Sequence, residues 1–160
     1  FILIDHFDQS KFQFSAYFGV MVFALMIGNR LTARLMNTRD LPSIIYWANL
    51  LQLIAAATMV TVCLTTVPSL WQVMLGIGVL MACNGAISPA SGGHFISLFD
   101  KNIGAASSLN STLMFAFGSL IGGLASVLAN GELLPIFATM LGSSLIARML
   151  LLSAQAKERQ

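Results

Sequence analysis

Charge is what this sequence has least of. Asp, Glu, Lys and Arg together make up 9% of its 160 residues, against roughly 25% in an average soluble domain. Between Asp40 and Asp100 lie 59 consecutive positions without any of them. A soluble domain needs charged side chains over much of its surface, so a gap of that length points to lipid as the solvent. A formal net charge of +2, spread over the chain, is too small to make a nucleic-acid surface. Cysteine is scarce as well. Cys63 and Cys83 both sit in apolar runs, at different membrane depths on the topology derived below, which argues against a bridge. No nucleophile–base pair, metal-ligand spacing or phosphate-binding glycine loop occurs, so neither an enzyme, a cofactor nor a metal site is expected.

What is abundant is apolar. Hydrophobic residues make up 57% of the chain, and the mean hydropathy is +0.83. A membrane-spanning helix needs about 20 mostly apolar residues to cross a 30 Å hydrocarbon core. Five segments meet that requirement, near residues 12–31, 43–64, 70–92, 104–128 and 133–154. The joints between them are Asn37–Pro42, Thr65–Ser69, Phe95–Ile103 and Ala129–Glu132. The runs are about twice the length of a barrel strand and do not alternate, so the expected class is an all-α integral membrane protein with five transmembrane helices.

Consecutive spans alternate sides, which sorts the charges. Arg30, Arg34, Arg39, Lys101, Lys157, Arg159 and, through its long side chain, Arg148 fall on one face. Lys11 stands opposite them with Asp5, Asp8 and Glu132. Basic residues concentrate in cytoplasmic joints, so the C-terminal tail is expected in the cytoplasm and residues 1–11 outside. The sequence opens on Phe1-Ile2-Leu3-Ile4, with no initiator Met and no basic stretch of the signal-peptide kind. It is read as continuing an apolar run that begins further upstream, whereas Ala156–Gln160 reads as a natural polar tail.

No span carries Asp or Glu at depth, although proton coupling usually relies on an intramembrane carboxylate. A coupling carboxylate is therefore expected in an upstream part. His6 and His94, on opposite sides, are expected in surface or joint roles. Arg148, about five residues from the cytoplasmic end of the fifth run, is expected to snorkel to the interface.

The fourth run is the most patterned. Gly104, Ser108, Ser111, Gly118, Gly122 and Ala125 form a stripe of small residues, with Gly118 and Gly122 in a GxxxG step. Such stripes let helix backbones approach closely; they suit static packing and a sliding interface alike. A second face holds Ser107, Asn110, Met114, Phe117 and Ile121, which suits a wet, apolar pocket or a core with one hydrogen-bonded amide. In the third run Asn84, Ser88 and Ser91 share a face beside Pro89, with Gly85, Gly92 and Gly93 close by. A cavity-facing hinge explains that combination, and so do hydrogen bonds between helices. Gly28–Arg39, with Arg30, Arg34 and Arg39, reads as a joint that anchors or clamps helix ends.

Four of these stretches carry a resemblance. Phe12–Phe18, the Asn29-Arg30-Leu31-x-x-Arg34 joint, Asn84–Pro89, and above all Gly104-Ala105-Ala106-Ser107-Ser108-Leu109 resemble the last five spans of the major facilitator superfamily, in its bicyclomycin-resistance (Bcr/CflA) branch of drug:proton antiporters. The joint is similar to the second copy of the superfamily's gating motif, but has Ala33 where that motif has an aspartate and Asn29 where it has a glycine. The resemblance implies that residues 1–160 form part of the C-terminal six-helix half of a twelve-span transporter. It further implies alternating access, a small-molecule substrate, protons as the coupling ion, and a missing N-terminal half as partner within the bilayer. The first, third and fourth spans would then line the cavity or the interface between halves, and the second and fifth would face lipid. Asn84, Ser88, Ser107, Asn110, Met114 and Phe117 are the expected cavity lining. Pro89, Gly104, Ser108, Gly118, Gly122, Arg30 and Arg34 are the expected packing or gating positions. The function expected on this basis is proton-coupled multidrug efflux across the inner (cytoplasmic) membrane. The alternatives are a major facilitator exporter of one metabolite (a sugar, nucleoside or amino acid) and a non-transporting helix-packing module.

Overall fold

The computed structural model describes residues 10–99, 101–129 and 132–158. Over these the chain is all helical: α1 (Lys11–Leu35), α2 (Leu41–Thr65), α3 (Leu70–Ser97), α4 (Ile103–Ala129) and α5 (Leu134–Glu158). All five are long and apolar enough to cross a membrane, which makes the chain a multi-pass membrane protein by length and composition.

The helices outrun the expected spans wherever a local signal reads as a break. Arg30 and Arg34 lie on the last turns of α1 rather than in a joint. Pro42 falls in the first turn of α2, where its missing N–H is not needed. Pro89 and the pair Gly92-Gly93 stay inside α3, so Phe95, Ile96 and Ser97, expected in a joint, are helical. His94 belongs to the last turn of that helix, while His6 lies outside the described residues. The turn into α4 passes through Asn102 at φ 66, a left-handed conformation that Asn tolerates better than most residues. The starts of α1 and α3 share one device: Ser10 and Ser69 each present a backbone N–H to the side chain of a glutamine three residues on, at 2.9 and 2.8 Å.

Helix α3 is the centre, meeting α1 and α2 over long seams, while α2 also packs on α5. α4 leans on α5 and touches α3 more lightly. α1 and α3 run parallel: Met21 packs beside Met74, and the Thr32 hydroxyl, almost fully buried, donates to the Ala86 carbonyl at 3.3 Å. Their backbones come close at two glycines, Gly28 against the Ala82 carbonyl and Gly85 against the Leu25 carbonyl. Any Cβ at either place would collide with backbone of the facing helix. Lipid tails are as apolar as leucine, so association of this kind depends on close packing rather than on a hydrophobic drive. α2 runs antiparallel to α3, with Met59 folded over Gly76 and Ile44 and Ile45 on Ala90. A core of Ala56, Met59, Val73, Leu80, Leu133 and Phe137 joins α2, α3 and α5.

Candidate functional site

The polar and small-residue patterns of α3 and α4 meet at one point. Asn110 places its Nδ2 3.4 Å from where a Cβ on Gly92 would stand, an ordinary contact distance between the two helices. The same Nδ2 reaches the Met114 sulfur at 3.7 Å, a weak acceptor. Otherwise α4 is bare. Of its residues from Ile103 to Leu128, Ala106 alone is buried and Asn110 and Ala125 are half-buried. At 100° per residue the flank carrying Asn110, Met114, Phe117 and Ile121 is the one nearest Ala106, turned toward the bundle. Of the small-residue stripe, Gly104, Ser108, Ser111, Gly118 and Gly122 are exposed and Ala125 is half-buried.

The expected lining residues therefore have distinct surroundings. Ser107, Met114 and Phe117 are exposed on α4, and Asn84 is exposed on α3. Ser88 is half-buried and accepts the Ser91 hydroxyl on its carbonyl at 3.1 Å. Neither Asn84 nor Ser107 has a hydrogen-bond partner in its side chain among the described residues. The Ser108 hydroxyl turns back to the Gly104 carbonyl at 3.0 Å, a bond within the helix. A Cβ on Gly104, Gly118 or Gly122 would meet open space among the described residues. Pro89 is exposed and leaves the Gly85 carbonyl without its usual helical donor, at one of the two glycines where α3 packs closely on α1. Arg30 and Arg34 are exposed at the end of α1.

Two features went unread in the sequence. The first is a polar seam between α2 and α5. Arg148 is held by α2: its Nη1 donates to the Tyr46 carbonyl at 3.0 Å, and its guanidinium lies 3.6 Å from the centre of the Tyr46 ring. Tyr46 sits about 7–8 Å into α2 at 1.5 Å per residue, so the guanidinium finds an acceptor and a ring face inside the end of that helix. One turn further along, Asn49 Nδ2 donates to the Ser144 carbonyl at 3.4 Å, while Asn49 Oδ1 and Ser144 Oγ are buried without partners among the described residues. The signal was present as matched spacing, with Tyr46 and Asn49 three apart on one helix and Ser144 and Arg148 four apart on the other. The second is a cleft of about 650 Å³ that opens between α1 and α2 and has α3 as its floor.

No protein-family model, curated protein or solved structure matches this chain.

Proposed function

We propose that this chain is part of a secondary active transporter that exports drugs or other small amphipathic compounds in exchange for protons. The observation that carries the reading is the near-complete exposure of α4 combined with the polar groups of Asn84 and Ser107. Against hydrocarbon an unsatisfied amide or hydroxyl is costly, so such groups face protein or a water-filled cavity in a finished membrane protein. A second helical body laid along α4 and the Asn84 face of α3 would enclose that cavity, and the flank with Asn110, Met114 and Phe117 would line it. Efflux and proton coupling rest on the resemblance to the bicyclomycin-resistance branch. On that resemblance the partner body is the N-terminal half, the membrane is the inner membrane, and the C-terminus is cytoplasmic.

The test uses the complete transporter in cells lacking other exporters. Drug resistance abolished by a protonophore, with the Asn110→Leu variant shifting the set of tolerated drugs while membrane levels stay normal, is the expected result. Saturable export of one sugar, nucleoside or amino acid without drug protection would replace this reading with that of a metabolite exporter. The open Gly118/Gly122 stripe favours a third reading, a helix-packing module without transport. A stable complex of the five-helix chain with another membrane protein, and no transport by either, would establish it.

A further inference from the structure

We propose that the cleft between α1 and α2 is a binding site for an anionic phospholipid of the leaflet on the arginine-bearing side, with one acyl chain in the cleft and the phosphate on Arg39. This inference requires that the five helices stand in a bilayer with the cleft open to lipid, and it is independent of what the protein transports. The cleft exists because α1 and α2 both lean on α3, where Ala82 and Ala86 make a low floor. Its walls are apolar, chiefly Ile27 and Leu31 from α1 and Trp47 and Leu51 from α2. Among the described residues Arg39 is the one charged residue that lines it.

The length of the cleft suits a lipid chain. From Arg39 to Leu51 the cleft runs along α2 for about 18 Å at 1.5 Å per residue, close to one leaflet's share of a 30 Å core. Charge favours an anion. Among the described residues Arg39 makes no ion pair and no side-chain hydrogen bond, and Arg30, Arg34 and Lys101 outnumber Asp40 at this end. The Asp40 carboxylate beside it already accepts the Ser43 hydroxyl at 3.1 Å. Basic pockets between membrane helices hold phospholipid headgroups in this way, at about 1 kcal/mol for each cation near the surface. Trp47, 62% exposed on the cleft wall, has the amphipathic ring that suits a place below the headgroups.

Trp47 also supplies the readout. The other tryptophan, Trp71, lies at the start of α3 and is removed as Trp71→Phe. The full chain is placed in phosphatidylcholine vesicles containing either brominated phosphatidylglycerol or brominated phosphatidylcholine, and emission quenching is followed against mole fraction. The expected result is half-quenching at a roughly fivefold lower fraction of the anionic lipid. Arg39→Gln should make the two lipids equal, while Arg30→Gln, outside the cleft, should leave the preference in place. Equal quenching by both lipids in the parent would overturn the proposal. So would a preference that survives Arg39→Gln, one lost equally in Arg30→Gln (general surface charge), or quenching by neither lipid (a cleft closed by protein).

Discussion

The α1–α3 seam and α4 are built from the same small residues and end in opposite states. At the seam, Gly28 and Gly85 each receive a carbonyl of the facing helix, and Thr32 closes the interface with a hydrogen bond. On α4, Gly104, Gly118 and Gly122 receive nothing among the described residues. A glycine on a membrane helix is therefore neither a contact nor a defect until a partner's backbone is in register with it. The seam is finished within the chain, and α4 carries similar small residues that meet no facing backbone among the described residues.

The largest expected effect comes from breaking the finished side. Gly28→Leu or Gly85→Leu drives a branched side chain into the Ala82 or Leu25 carbonyl, and helix backbones yield less than side-chain ends do. Overfilling a packed site costs about 1–3 kcal/mol, and more where backbone must move. Both variants should lose the monodisperse peak in detergent gel filtration, and Gly28→Ala should retain it in part. A parent-like profile for either leucine variant would remove the seam from the account. The converse change, Gly122→Leu, meets open space and should leave the five-helix body as stable as the parent. If α4 is the face that a second body covers, the same substitution in the complete transporter should reduce transport severalfold at normal expression. Normal transport there would separate the stripe from any moving interface.

The contrast also shows what the sequence could and could not convey. All five helices were legible, because a run of about 20 apolar residues has few other fates. Helix ends were misplaced at Pro42 and at Gly92-Gly93, which act as breakers where water can take over the freed backbone groups. Pro42 takes the first turn of α2, where its missing N–H is not needed, and in hydrocarbon, where water is absent, α3 continues through Gly92-Gly93. Packing was less legible. The GxxxG step at Gly118 and Gly122 is visible within one helix, yet Gly28 and Gly85 are single glycines whose meaning lies in the register between two helices. The Arg148–Tyr46 pair was hidden for the same reason, since its members are separated by 102 positions.

That pair sharpens the comparison at intermediate size, because it fastens α5, on which α4 rests, to α2. A double-mutant cycle with Tyr46→Leu and Arg148→Gln isolates the contribution of the ring, since the Tyr46 carbonyl remains in every variant. A coupling of about 1–2 kcal/mol is expected for a guanidinium stacked on an aromatic face away from water. Coupling within error of zero would leave the carbonyl bond as the sole restraint on Arg148.

The smallest effect belongs to the polar end of α2, outside the spans. The carboxyl of Asp40 is held below its ordinary value of 3.8, first by the hydrogen bond from its own backbone N–H and then by the Ser43 hydroxyl, with a lesser contribution from the Arg39 charge. A depressed carboxylate favours the folded chain above the unfolded pKa and loses that contribution as the pH falls through the lower, folded value. The group is fully exposed, so water and salt screen most of the interaction. Thermal unfolding of the parent should therefore show a slight loss of midpoint below about pH 4 that Asp40→Asn lacks, with the two curves parallel above it. A loss of equal size in the variant would assign the acid sensitivity to other carboxylates and leave Asp40 as a helix start alone.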